Sequence, residues 1–340
     1  MECGRTLIIA EAGVNHDGSI DKALELIRVA AAAGADVVKF QTYSTERVCS
    51  PDAPKAAYQV ETTGSDETQW AMLKRLELAE SDYPHLIAEC TRLGIEFLST
   101  PFDEAAADFL AELGVRRFKI PSGEVTNLPY IRHLAGFGKP LILSTGMCDL
   151  AEVAMAVDAI RAGGNPPLTI LHCVTAYPAP AADCNLRAMV TMGKAFGVPV
   201  GFSDHTLGRD VSLAAVALGA SVIEKHFTLN PNDEGPDHRA SLAPDELVAF
   251  VSGIRAVEAA LGDGVKRPVA SELENRAIVR KGLVTLADVA TGELFTTENV
   301  AIRRPANGLP PAELQNVLGR RASRALRAGD PVTFADVATD

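Results

Sequence analysis

The chain has 340 residues, 47% of them hydrophobic and 22% charged, with a formal net charge of −12. That length suits one large domain plus a small one. The acidic balance, the few aromatics and the lack of a basic stripe argue against nucleic acid as a partner. No apolar run reaches the roughly 18–20 residues that span a bilayer. The first residues, MECGRTLIIAEAGVNHDG, turn acidic after a short apolar stretch and lack the core and cleavage site of a signal peptide, so a cytoplasmic protein is expected. Six cysteines (Cys3, Cys49, Cys90, Cys148, Cys173 and Cys184) show no CxxC spacing and are expected to be free thiols. Cys173, inside an apolar run, reads as a small buried hydrophobe.

In chain order, β-branched runs alternate with amphipathic helical stretches. The strand-like runs are LIIAEAG (7–13), DVVKFQ (36–41), IEFLSTP (95–101), RFKIPS (117–122), PLILSTG (140–146), LTILHC (168–173), PVGFSDH (199–205) and SVIEKHF (221–227). Several intervening helices end on glycine, at Gly34, Gly94, Gly114 and Gly219, which is a stop signal. Eight strand–helix units close a (β/α)₈ barrel, a TIM barrel, over residues 1–262. An open doubly wound sheet would carry GxGxxG after its first strand, where this chain has GVNHDG. The polar stretch from Thr42 to Thr68 is long for a loop and is expected to form a partial lid over the barrel mouth. Residues 263–280 lose the rhythm and read as a linker. Residues 281–340 contain an internal echo, TGELFTTENV (291–300) with AGDPVTFADV (328–337), and read as a small, mostly β domain.

In such a barrel the carboxyl ends of the strands face the active site. Here they carry Glu11, Asn15 and His16; Lys39 and Gln41; Ser99, Thr100 and Asp103; Lys119, Ser122 and Glu124; Ser144 and Thr145. The last three strands add His172, Thr175 and Tyr177; Ser203, Asp204 and His205; and Glu224, Lys225 and His226. Asp103, Asp149 and Asn185 are read as helix caps or loop residues. Lys39 and Lys119, beside the hydroxyls of Thr100, Ser122, Ser144 and Ser203, suit a bound phosphate and carboxylate. His205 and His226, on adjacent strands, suit a divalent ion such as Mn²⁺, Fe²⁺, Co²⁺ or Zn²⁺ acting on a carbonyl. Glu11, Glu124 and Glu224 are candidates for proton transfer or water positioning. His85 and His133 fall in helical stretches.

The strings EAGVNHDG, ADVVKFQTY, EFLSTPFD, KIPSGEVTN, ILSTGM, LHCVTAYPAP, GFSDHT, IEKHFT and GPDHRASL closely resemble the sialic acid (nonulosonic acid) synthase family. The resemblance runs the length of the barrel. It continues into a C-terminal domain that looks like the antifreeze-protein-like (SAF) domain of those enzymes. It implies condensation of phosphoenolpyruvate with an N-acylated sugar. Lys39, Thr100, Lys119, Ser122, Ser144 and Ser203 would hold phosphoenolpyruvate. His205 and His226 would hold the metal, usually Mn²⁺. Glu11 and Glu124 would be catalytic, with Glu124 beside the developing positive charge. Gln41, Thr175, Tyr177 and Asp237 would face the sugar. It also implies a homodimer in which the small domain of one subunit caps the partner's barrel and Arg304 reaches the N-acyl group. The chain departs from the pattern at Thr175, where asparagine is usual in neuraminate-making members, and at Ala306, which replaces the glycine of an RPG motif. Both changes fall on the sugar side, leaving N-acetylmannosamine and a diacetamido-trideoxyhexose as alternatives. Another phosphoenolpyruvate-condensing barrel would need an arginine-rich second phosphate site. An ice- or carbohydrate-binding protein would not need polar groups at every strand end.

Overall fold

A computed structural model describes residues 5–339, so Cys3 lies outside the described residues. Eight parallel strands, β1 (Leu7–Gly13), β2 (Val37–Thr42), β3 (Glu96–Pro101), β4 (Phe118–Ile120), β5 (Leu141–Ser144), β6 (Leu168–Cys173), β7 (Val200–Asp204) and β8 (Val222–His226), form one sheet. Its order is β3-β2-β1-β8-β7-β6-β5-β4. The two end strands, β3 and β4, lie against each other, so the sheet is a nearly closed barrel. The boundaries fall within a few residues of the sequence expectation. β4 and β5 are shorter than the runs that predict them.

The two-residue strand period sorts the side chains. On one face of the strands Ile9, Val37, Leu98, Ile142, Leu171 and Val222 form a small apolar cluster inside the barrel. The other face, with Ile8, Val38, Phe118, Ile170, Phe202 and Ile223, joins the larger core under the helices. Gly201 is a steric requirement of the interior: a Cβ there would lie 2.2 Å from the Val222 carbonyl oxygen and 2.7 Å from a Leu171 methyl. The same alternation divides the polar strand ends. Asp204 and Lys225 are fully buried and paired at 3.1 Å. Asp204 also accepts from the Thr206 amide and hydroxyl and from Ser212, while Lys225 donates to the Thr206 carbonyl. This pair is structural, because both Asp204 oxygens and two of the three Lys225 ammonium protons are already occupied.

The stretch expected to be a polar loop contains two short helices, Thr45–Val48 and Ala57–Thr63, and a third, Gln69–Leu76, follows it directly. The last is capped by Thr68, and its Met72 and Leu76 pack with Val14 and Tyr43. Apolar spacing over so few residues is too short to separate a helix from a loop by periodicity. Asp103 and Asp149 cap the helices that follow them, as read from sequence. Asn185 takes a positive φ in its loop.

One compact unit ends at Asp263 and a second begins at Gly264. The segment expected as linker, 263–280, contains a ten-residue helix, Ala270–Val279, with no buried residue. The second unit holds an antiparallel pair, β9 (Gly282–Thr285) and β10 (Val300–Arg303). The sequence echo becomes a two-fold pattern at an offset of 37 residues, as from Gly292 to Gly329. The bridge Val284 to Pro331 answers Leu294 to Arg321, Thr285 to Val300 answers Ala322 to Val337, and Val289 to Leu326 lies on the axis. Phe295 and Val332, equivalent by that offset, both sit fully buried in this unit's core.

Replacing Lys225 by Met would leave Asp204 charged and buried, with only its neutral donors. Urea unfolding of Lys225→Met is expected to show a loss of about 3 kcal/mol.

Candidate active site

The carboxyl ends of the strands open into a cavity of about 310 Å³. Its floor is built by the inward position two residues beyond the apolar layer on each strand: Glu11 after Ile9, Lys39 after Val37, Thr100 after Leu98, Ser144 after Ile142, Cys173 after Leu171 and Glu224 after Val222. Lys119 and Ser203 complete it. Parallel register keeps these groups level, with Glu11 opposite Lys39 and Ser203 opposite Glu224.

Four buried charges are crowded here. Lys39 Nζ lies 2.7 Å from Glu11 Oε2 and 3.6 Å from Glu224 Oε2, and it donates to Thr100 at 3.0 Å. Lys119 Nζ is 3.3 Å from Glu224 Oε1, which also accepts from the Ser203 hydroxyl at 2.8 Å. Burial pushes the Glu11 carboxyl up to about 7 against the pull of Lys39. Burial acts on Glu224 in the same sense, but Lys119 and Lys39 together more than offset it and hold that carboxyl at about 2. Lys119 is depressed by burial, while the two carboxylates keep Lys39 above the usual lysine range. The Ser144 hydroxyl is buried with no partner among the described residues. The floor therefore offers two ammonium groups, an unpaired hydroxyl and one carboxyl poised near neutrality.

His205 and His226 rise beside it with ring centroids 5.5 Å apart. His205 Nδ1 donates to the Val174 carbonyl at 2.7 Å, so Nε2 carries the lone pair of the neutral ring; burial lowers the His205 pKa, but Cys173 and this carbonyl more than offset it and raise it. His226 Nδ1 is buried without a hydrogen-bond partner, and Asp237 Oδ2 lies 3.9 Å away. Burial, with His205 and Lys39 nearby, depresses the His226 pKa and keeps the ring neutral, which is the ligating form. Among the described residues no three His, Cys, Asp or Glu converge on one point. The unpartnered His226 Nδ1 and the His205 imidazole are nitrogen donors of the kind that suit a divalent ion. Burial raises the Asp237 carboxyl to about 6. Cys173 is buried, as expected, and it also lines the cavity, 3.7 Å from His205 Nδ1.

The lid helices supply Val48, Cys49, Tyr58, Gln59, Gln69, Met72, Leu73 and Leu76 to the wall. Tyr58 packs on Tyr177 at 4.9 Å, and Tyr177 packs on His205 at 4.1 Å.

Comparison with known proteins bears on this geometry. Residues 26–266 match the NeuB family and residues 280–338 match the SAF domain. The chain is 49% identical over 322 residues to an N,N'-diacetyllegionaminic acid synthase of Campylobacter jejuni, covering 94% of this chain and 96% of that one. It is 48% identical over 334 residues to the synthase of the same name from Legionella pneumophila, covering 97% and 94%. The chain belongs to the NeuB family. The crystal structure of an N-acetylneuraminic acid synthetase from Leptospira borgpetersenii superposes with a TM-score of 0.71 at 34% identity, over 80% of this chain and 90% of that one. The NeuB-family chain is thus an enzyme of the sialic acid synthase type, with a barrel followed by a SAF domain.

Of the site residues expected from the sequence, Glu11, Lys39, Gln41, Thr100, Lys119, Ser122, Ser144, Thr175, Tyr177, Ser203, His205, His226 and Asp237 all line this one cavity. Gly146 is tied into the same rim. Its amide donates to Ser122 at 2.8 Å, and a Cβ would fall 2.1 Å from the Thr175 hydroxyl. Glu124 is the exception. It ends a short turn of 3-10 helix, accepts from Asn127 at 2.7 Å and is absent from the cavity lining. Arg304 is exposed on the turn after β10, in the second unit. Asn15, His16, Thr145 and His172 serve the frame: Asn15 bonds Phe227 and Ser241, and His16 accepts from Gly18. Thr145 bonds Leu171, and His172 bonds Cys184. Tyr58 and Gln59 were invisible to strand-end reasoning because they sit outside the strand–helix rhythm. The one available signal was the length of the insertion.

Glu11 keeps its proton to about 7 in the fold against an ordinary 4.5, so the folded protein binds more protons than the unfolded chain between those values. Its contribution to stability is full below the lower value and is lost as pH rises through the upper one. Urea unfolding from pH 5 to 8 is expected to show the parent losing up to about 3 kcal/mol relative to Glu11→Gln.

Proposed function

We propose that this chain condenses phosphoenolpyruvate with a 2,4-diacetamido-trideoxyhexose, giving a legionaminic-type nonulosonic acid and free phosphate. The observation that carries this is the shared floor: two buried lysines among serine and threonine hydroxyls, with two imidazoles in the same cavity. The lysines, Thr100, Ser122, Ser144 and Ser203 suit the phosphate and carboxylate of phosphoenolpyruvate. Among the described residues no arginine lines the cavity and its only ammonium groups are those two, so it is poorly equipped for a second phosphate; this disfavours a phosphosugar acceptor. The upper wall, with Val14, Tyr43, Val48, Met72, Leu73 and Met147, supports acetamido methyls and a deoxy carbon better than a row of hydroxyls. The two relatives that share nearly half their residues with this chain carry the diacetyllegionaminic name, against 34% identity to the neuraminic acid synthetase.

His205 and His226 would hold a divalent cation, Mn²⁺ in our reading, which supplies Lewis acidity toward the sugar aldehyde. The floor fixes phosphoenolpyruvate so that its C3 faces that carbonyl carbon, which converts a bimolecular encounter into a positioned one. The C2=C3 π electrons of phosphoenolpyruvate form the C–C bond as the aldehyde C=O π bond opens and its oxygen takes a proton; water then adds at the C2 cation, and the C2 hydroxyl gives up its proton to a phosphate oxygen as the C2–O bond to phosphate breaks. Glu11, poised near neutrality, takes the proton of that water, while Glu224 stays ionised and keeps both lysines in place. In this reading Glu11 and Glu224, which line the floor, are the carboxylates nearest the charge that develops at C2. Gln41, Thr175, Tyr177 and Asp237 face the sugar. A second copy of the chain would complete the acceptor site through Arg304, as a homodimer. Phosphoenolpyruvate as co-substrate is consistent with a cytoplasmic enzyme. No helix among the described residues is long and apolar enough to cross a membrane.

With Mn²⁺ and phosphoenolpyruvate, phosphate release is expected only when an N-acylated sugar is added, and fastest with the diacetamido sugar. His226→Ala is expected to keep its circular dichroism spectrum, lose calorimetric Mn²⁺ binding and lose turnover by more than about 100-fold. Full turnover in that variant would overturn the metal assignment. Release of phosphate without any sugar would overturn the condensation.

A further inference from the structure

The lid presents one aromatic ring to the barrel mouth in a fixed pose. Tyr58 lies on Ala57–Thr63, and that short helix is tied at both ends. At its start the Ala56 amide donates to the Gln59 side chain at 2.9 Å. At its end Lys55 donates to the Thr63 hydroxyl and the Gly64 carbonyl, each at 2.8 Å, and its side chain is almost fully buried in doing so. The Gln69 side chain reaches the same Gln59 oxygen at 3.4 Å, joining this helix to the next. Tyr58 is therefore held with its ring 4.9 Å from that of Tyr177 and tilted by 31°. Tyr177 in turn lies 4.1 Å from His205 and edge-on to His226 at 5.8 Å. Three rings form a column from the lid to the imidazole pair, and Tyr58 and Tyr177 both line the cavity.

We propose that Tyr58 is a specificity-determining residue, its ring extending the Tyr177 face into a wall for an N-acyl group of the acceptor. This rests on the acceptor being an N-acylated sugar whose aldehyde meets the imidazole pair. The carbons beyond the aldehyde then run outward along the column, and their acyl groups reach the two tyrosines. An aromatic face suits an acetamido group, whose methyl and flat amide pack on a ring, and it offers nothing to a hydroxyl at the same place. Phosphoenolpyruvate, held at the lysine floor, does not touch this wall.

The experiment measures KM for phosphoenolpyruvate and for each member of a panel of mono- and diacetamido hexoses, in the Mn²⁺-loaded full chain. Tyr58→Ala is expected to raise KM for the sugar that the parent turns over by about tenfold. KM for phosphoenolpyruvate should stay within about twofold, and the preference among the acylated sugars should narrow. Tyr58→Phe, which keeps the ring, is expected to restore the parent values. Tyr58→Leu, which keeps bulk without an aromatic face, is expected to behave like alanine, and urea unfolding checks that both variants fold. Equal rises in both KM values, or no rise in sugar KM, would overturn the assignment. The identity of the sugar is judged separately, on the parent alone. A parent that prefers a monoacetamido sugar overturns the diacetamido reading and leaves the Tyr58 comparison intact on that sugar.

Discussion

Everything in the cavity is arranged around two lysines that the barrel has taken out of water. An ammonium group at the top of an apolar interior is costly unless anions offset the lost hydration. Glu224 lies close to both, and Glu11 lies against Lys39. The two carboxylates divide the work unequally. Glu224 has both lysines and a serine hydroxyl and stays ionised, whereas Glu11 has one lysine and is left near neutrality by burial. That inequality separates an anchoring carboxylate from one able to exchange a proton.

The frame supports this ring from beneath and from outside. Beneath it the apolar cluster of Ile9, Val37, Leu98, Ile142, Leu171 and Val222 closes the barrel interior. Outside, the Asp204–Lys225 pair occupies the opposite face of β7 and β8, one residue away in sequence from Ser203, His205, Glu224 and His226. A one-residue slip of either strand would exchange the two sets, setting a saturated structural pair in the cavity and the imidazoles under the helices. Register in these two strands is therefore a condition of the chemistry. Above the floor the lid supplies a wall that the barrel cannot, since strands and their helices alone leave the mouth open.

The second unit follows a different logic. Its two halves repeat the same bridges at a constant offset, so a core of few residues is built twice from one pattern. A unit this small gains from such repetition, because each half closes the other's exposed edge.

Much of this was legible in the sequence because a barrel strand states its own geometry. Alternation at a period of two, with a polar tip and a glycine-ended helix after each run, determined the eight strands, the mouth and twelve of the thirteen expected residues around the cavity, Asp237 coming only with the family resemblance. It could not tell which polar tips point inward when two lie side by side, and so Asp204 and Lys225 stood beside Ser203 and Glu224 as equals. Nor could it see that the Glu124 carboxylate bonds Asn127 and is absent from the cavity lining. The unequal protonation of Glu11 and Glu224 also needed the fold, because it depends on which residue sits between both lysines. Tyr58 belonged entirely to tertiary structure. Its place against Tyr177 is set by contacts across more than a hundred residues of chain, and no local pattern carries such a contact.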